Sequence, residues 1–179
     1  MKNNIIDLFC GAGGLSLGFE NAGFKTDLAI DFWSPTIETY NANRKNKVGI
    51  VFDITKLNAE LLKEKGINYV VGIVGGPPCQ GFSLAGRRII DDDRNKLYRD
   101  YFRILEMVNP QFFVIENVVG ILNINGGIVK DDIVKRANQI GYEVFMKVLC
   151  ASKYGVPQNR NRVFFVGFKK NIVEQKGNF

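Results

Sequence analysis

Apolar, β-rich runs alternate with helix-period segments along all 179 residues, and this alternation predicts an α/β domain with a mainly parallel sheet. A second observation agrees: several of the apolar runs empty into glycine-rich or acid-bearing turns, the place where open parallel sheets bind ligands. The length suits one domain with a sizeable core rather than two.

Ile5 to Phe9 reads as the first buried strand. Apolar residues at helical spacing follow at Leu15, Phe19 and Ala22, with Gly23 as the cap that closes the helix. Thr26 to Ile30 is a second strand. Ser34-Pro35 then has the order of a helix start, serine as N-cap and proline in the first turn. Val48 to Phe52 is a third strand, Asn58 to Lys65 a short helix stopped by Gly66, and Tyr69 to Val74 a fourth strand. The strongest amphipathic helix spans Asn95 to Val108, with Leu97, Tyr101, Ile104, Leu105 and Val108 on one face. Phe112 to Ile115 is a fifth strand and Ile128 to Ile140 a helix. Tyr142 to Leu149 and Val163 to Phe168 are expected as an antiparallel pair at the sheet edge. From Lys169 onward the apolar periodicity fades, which reads as a tail or as the start of a further element.

Composition narrows the function classes. Hydrophobic residues make up 46% and charged residues 23%, the balance of a soluble globular domain. No apolar run approaches the roughly 18 residues of a membrane span. The Met1-Lys2-Asn3-Asn4 start lacks the form of a signal peptide, so the expected location is the cytoplasm. The chain has no histidine, which removes Ser–His–Asp and Cys–His hydrolases. With three scattered cysteines and no Cys-x-x-Cys pair, neither a disulfide framework nor a metal site is expected. A net charge of +6 is compatible with a polyanionic partner but does not establish one.

Four segments carry chemistry. Asp7-Leu8-Phe9-Cys10-Gly11-Ala12-Gly13-Gly14 is a strand, a glycine turn and a helix start, where the backbone approaches a nucleotide closely. Asp31, ending the second strand, suits ribose hydroxyls, and Asp53, ending the third, suits an adenine edge. A lone Gly-x-Gly-Gly is more often a tight turn beside solvated acids, so this segment implies only an adenosine-containing cofactor. Ser16 stands where a dinucleotide fingerprint has its third glycine, so a nicotinamide oxidoreductase fits imperfectly. The second segment, Gly75-Gly76-Pro77-Pro78-Cys79-Gln80-Gly81-Phe82-Ser83, holds Cys79 at a strand end behind two prolines. Cys10 and Cys150 read as small buried hydrophobes. In the third, Glu116 closes a buried run, where burial would raise its pKa and let it hold a proton. In the fourth, Gln158-Asn159-Arg160-Asn161-Arg162, two arginines at i, i+2 share a face and can fork onto carbonyl or phosphate oxygens.

In order and wording these segments resemble the C5-cytosine-specific DNA methyltransferase family, over essentially the whole chain. The resemblance implies a Rossmann-like S-adenosylmethionine-dependent methyltransferase fold, with a mostly parallel seven-stranded sheet and helices on both faces. It implies that Asp7, Phe9, Gly11, Gly13, Gly14, Leu15, Asp31, Phe32, Asp53, Ile54, Pro77 and Leu97 bind S-adenosyl-L-methionine and its product S-adenosyl-L-homocysteine. Cys79 becomes the nucleophile, and Glu116, Arg160 and Arg162 the groups around a cytosine flipped out of double-stranded DNA. The loop after Cys79, with Arg87, Arg88 and Arg94, would close over the strand, although Asp91-Asp92-Asp93 complicates a purely electrostatic attraction. The family's pattern continues with a target-recognition region and late motifs that these 179 residues lack. A split enzyme completed by a second polypeptide, a truncated product and a fragment all fit that departure. A tRNA cytosine methyltransferase of the same family and a non-catalytic nucleic-acid-binding subunit are the other readings.

Overall fold

The computed structural model describes residues 3–78 and 94–176, and within them all seven strands join one sheet. In chain order the elements are β1 (Asn4–Leu8), α1 (Gly14–Asn21), β2 (Lys25–Asp31), α2 (Ser34–Ala42), β3 (Gly49–Val51), α3 (Ala59–Glu64) and β4 (Gly72–Gly75). There follow α4 (Arg94–Val108), β5 (Phe112–Val118), α5 (Ile128–Gln139), β6 (Tyr142–Cys150), β7 (Asn161–Lys169) and α6 (Lys170–Lys176). The strand order is β3-β2-β1-β4-β5-β7-β6, with β1 to β5 parallel and β7 antiparallel to both of its neighbours. The chain builds outward from β1 to β3 and then returns to lay β4 on the other side of β1. That reversal opens a crevice at the carboxyl ends of β1 and β4.

Alternation along the strands decides which residue meets which layer. Leu28 and Ile30 join Ile6, Leu8 and Ile73 in a core with α3, α4 and α5, to which α4 contributes Tyr101, Ile104 and Leu105. On the opposite face Ala29 packs with Ile37 and Tyr40 of α2, while Ile5, Val74 and Phe112 meet Phe19 of α1. Each fully buried Ile, Leu or Phe contributes about 1.5–3 kcal/mol, so these two faces dominate the stability. The Tyr101 hydroxyl lies 3.1 Å from the Ile73 carbonyl and 3.0 Å from the Val114 carbonyl, tying α4 to β4 and β5.

Two local expectations are corrected. Ser34 is the first helical residue and Trp33 the N-cap; the Ser34 hydroxyl bonds Glu38 within α2 instead of capping it. β5 extends through Glu116 and Asn117 to Val118, because β7 pairs along its full length. Of the tail and the further element, the latter is found: α6, which Val173 anchors by its burial. Asn58 does cap its helix, accepting from the Leu61 amide at 2.9 Å.

Candidate active site

The turn after β1 needs three left-handed residues in close succession: Phe9 (φ 59°), Gly11 (φ 53°) and Gly13 (φ 88°). Two of them are glycine, for which this region carries no Cβ penalty. Asp31 fixes the turn from the neighbouring strand: its Oδ2 accepts from the Gly11 amide at 2.9 Å and its Oδ1 from the Trp33 amide at 3.0 Å. Beyond Gly11 the space where a side chain would stand is open.

Below the turn, Asp7 is buried and takes a hydrogen bond from the Ser16 hydroxyl, which the Tyr40 hydroxyl meets at 3.2 Å. This network gives Ser16 a purpose that a dinucleotide fingerprint would not predict. Asp7 Oδ1 has no hydrogen-bond partner although it is buried, and burial pushes the carboxyl up to about 7.

At the other end, Arg162 Nε meets Glu116 Oε1 at 2.8 Å, joining β7 to β5. Glu116, which the sequence marks as an acid closing a buried run, is therefore half-buried in an ion pair. The Arg162 Nη1 donates to its neighbour's carbonyl at 2.8 Å, which orients the guanidinium. Asn117, on the opposite face of β5, donates from Nδ2 to the Pro77 carbonyl at 2.9 Å and holds the stretch leading to Pro78. Cys79 lies outside the described residues, as do Arg87 and Arg88.

A cavity of about 610 Å³ joins the two ends. Of the expected residues it brings together Asp7, Phe9, Gly14, Leu15, Glu116, Arg160 and Arg162, beside Gly76. Its size is that of a small-molecule site. Other expected residues stand outside its wall. Gly13 is covered from behind, Phe32 is exposed, and Leu97 packs on the core. Ile54 is a core side chain. The Asp53 carboxylate caps its own turn, accepting from the Thr55 amide at 3.0 Å and hydroxyl at 2.7 Å, and these bonds hold it below the usual carboxylate range.

Cys10 is buried, which pushes its thiol up and suits an inert role. Cys150 departs from expectation: it is half-buried, and the Ser152 hydroxyl, 3.2 Å away, holds its thiol below the usual range. Residues that the sequence did not flag include Arg44 and Arg103, whose partners lie 31 and 46 residues away in the chain. The cavity residues Leu149, Tyr154 and Phe164 were also missed.

Fold and site together define a Rossmann-like α/β domain of the methyltransferase class. A family model for C-5 cytosine-specific DNA methylases matches residues 3–178, and the chain belongs to that family. It is 47% identical to the Type II methyltransferase M.DdeI of Desulfomicrobium norvegicum over 94% of this chain and 41% of the relative. It is 37% identical to the Type II methyltransferase M.AquIA of a Picosynechococcus strain, over 93% of this chain and 72% of that protein. Among solved structures, one described as a DNA modification methyltransferase encoded within an E. coli prophage superposes with a TM-score of 0.82 at 38% identity, over 94% of this chain and 47% of its own. The chain thus spans less than half the length of M.DdeI and of this structural relative.

Proposed function

We propose that this chain is the catalytic part of a DNA (cytosine-5)-methyltransferase of the modification type, acting on a cytosine flipped out of double-stranded DNA. One observation carries the reading: a single cavity is walled by the glycine turn at one end and by the Glu116–Arg162 pair at the other. A cofactor and a base can therefore meet in it. The turn end fits S-adenosyl-L-methionine. The unpartnered Asp7 Oδ1 is an acceptor for a polar or cationic group, and the open space at Gly11 admits a ligand close to the backbone. When bound, the cofactor supplies an electrophilic methyl group and departs as S-adenosyl-L-homocysteine. No cluster able to hold a metal occurs among the described residues.

Cytosine C5 is a poor nucleophile and has to be activated. The Cys79 thiolate adds to C6, Glu116 shares a proton with N3, and the ring becomes an enamine reactive at C5. Arg162, already aligned by Glu116, holds O2 and stabilises the charge that develops on the ring. Arg160, exposed at the cavity rim, assists with carbonyl or phosphate oxygens. Once C5 carries the methyl group, loss of its proton to water and expulsion of the Cys79 thiolate from C6 restore the aromatic ring and complete the turnover. None of this can happen within a stacked duplex, so the base is extruded.

We further propose that a second polypeptide supplies target recognition. What supports it is that the seven described strands all belong to the one sheet that walls the cavity. The test is a trap: DNA bearing 5-fluorocytosine, the methyl donor, this chain and the polypeptide encoded immediately downstream. The expected result is a covalent adduct that maps to Cys79 and is absent from Cys79→Ala. An adduct on Cys150, whose thiol is held low, would overturn the assignment.

A further inference from the structure

We propose that Arg44 is a positioning residue for the glycine turn, holding Gly13 in its left-handed conformation and setting how the turn faces the cavity. This rests on the reading that the turn receives the cofactor. Arg44 lies just beyond α2, its side chain is only 9% exposed, and each of its three guanidinium nitrogens makes an inward hydrogen bond. Nη2 donates to the Gly13 carbonyl at 2.6 Å, Nη1 to the Tyr40 carbonyl at 3.3 Å, and Nε meets Glu20 Oε2 at 3.3 Å. The guanidinium carbon stacks 3.8 Å from the centre of the Tyr40 ring.

The position of this cation calls for a cause. A positive charge beside the start of α1 is opposed by the helix dipole. Glu20 offsets that cost, and the bond to the Gly13 carbonyl gives the placement a purpose. The Gly13 carbonyl is also the first acceptor of α1, taking the Leu17 amide at 3.0 Å. Fixing it therefore fixes the helix start and the cavity-lining Gly14 and Leu15. A Cβ at Gly13 would stand 2.5 Å from Arg44 Nη1, so the glycine is required by its neighbour as well as by its φ of 88°. Tyr40 extends the same assembly through Ser16 to Asp7 in the cavity wall. Lysine offers a point charge and cannot bond and stack in this manner.

The test compares wild type, R44K and R44M by amide hydrogen exchange and by NMR titration with S-adenosyl-L-homocysteine. In both variants the Gly13 and Leu17 amides should exchange about tenfold faster or more, and half-saturation should rise about tenfold, the worth of one charge-assisted hydrogen bond. The β5 amides of Phe113 to Ile115 should keep wild-type rates. R44K, which preserves the charge, guards against a misfolded R44M. Wild-type exchange and binding in R44K would overturn the proposal, as would faster exchange spread equally through β5. If wild type itself shows no response to S-adenosyl-L-homocysteine, the cofactor reading falls, while the exchange comparison still decides whether Arg44 holds the turn.

Discussion

At the β1–β2 end of the cavity the backbone is wired from within: Asp31 takes two amides, Arg44 takes the Gly13 carbonyl, and Cys10 accepts from Gly13 and donates to Ile30. At the β5–β7 end, among the described residues, the Glu116–Arg162 pair, the Arg162 bond to the Asn161 carbonyl and the hold of Asn117 on Pro77 contribute to the positioning. Around that pair Tyr154 is 66% exposed and Arg160 faces solvent. The contrast separates two tasks. A small cofactor of fixed shape rewards a preformed cradle, because rigidity lowers the entropy lost on binding. On the proposed function, the other end has to receive a base delivered by DNA.

Breaking the open end should give the largest effect. Glu116→Gln keeps the shape and removes the acid, so turnover in the reconstituted enzyme should fall about 10²–10⁴-fold. Affinity for S-adenosyl-L-homocysteine should stay unchanged, and a loss of binding with normal turnover would reverse the division between the ends.

Next comes Asp7. Its folded carboxyl is raised from the ordinary 3.8 to about 7, so the folded state binds the extra proton. The contribution of Asp7 to stability is thus complete at low pH and declines as pH rises from about 4 through 7, by up to about 4 kcal/mol. Denaturant midpoints should show this slope in wild type and a flatter one in Asp7→Asn; parallel slopes would remove Asp7 as the cause.

Asp31→Asn should be milder, since an amide keeps one good acceptor for Gly11 or Trp33 but not two. Weakening of S-adenosyl-L-homocysteine binding by about tenfold is expected, the scale of one hydrogen bond to a charged group. Calorimetry showing unaltered affinity would mean that the cradle does not depend on this carboxylate. The smallest effect belongs to exposed Arg160: alanine should lower the slope of log affinity against log salt by about 1 if it meets a phosphate. An unchanged slope would confine Arg160 to the base or to solvent.

The sheet was legible in the sequence because its signals are local: apolar runs, glycine stops and the late edge pair. The glycine turn and Glu116 were legible for the same reason, each marked by unusual residues beside a buried run. What escaped depends on distant partners. Ser34 has the form of a cap, yet its hydroxyl turns to Glu38 within the helix. α6 has little apolar periodicity and is held by Val173. Arg103 resembles any surface arginine on a helix, but its Nη1 reaches the Leu57 carbonyl at 2.7 Å and its Nη2 the Ile54 carbonyl at 2.9 Å, pinning the turn after β3. The Glu116–Arg162 ion pair is not legible from spacing, because the partners are 46 residues apart, on β5 and on the strand antiparallel to it.

That reversed strand makes the Glu116–Arg162 pair a property of counting. Glu116 stands opposite Phe164 and Val118 opposite Arg162, so acid and base are diagonal neighbours on one face of two strands. Side chains alternate faces along a strand, and a slip of one residue would send Arg162 to the far side of the sheet. Residues 151–160, before β7, can therefore change length between related proteins without parting the two groups. A single residue inserted between Arg162 and Phe168 would part them while leaving every motif readable.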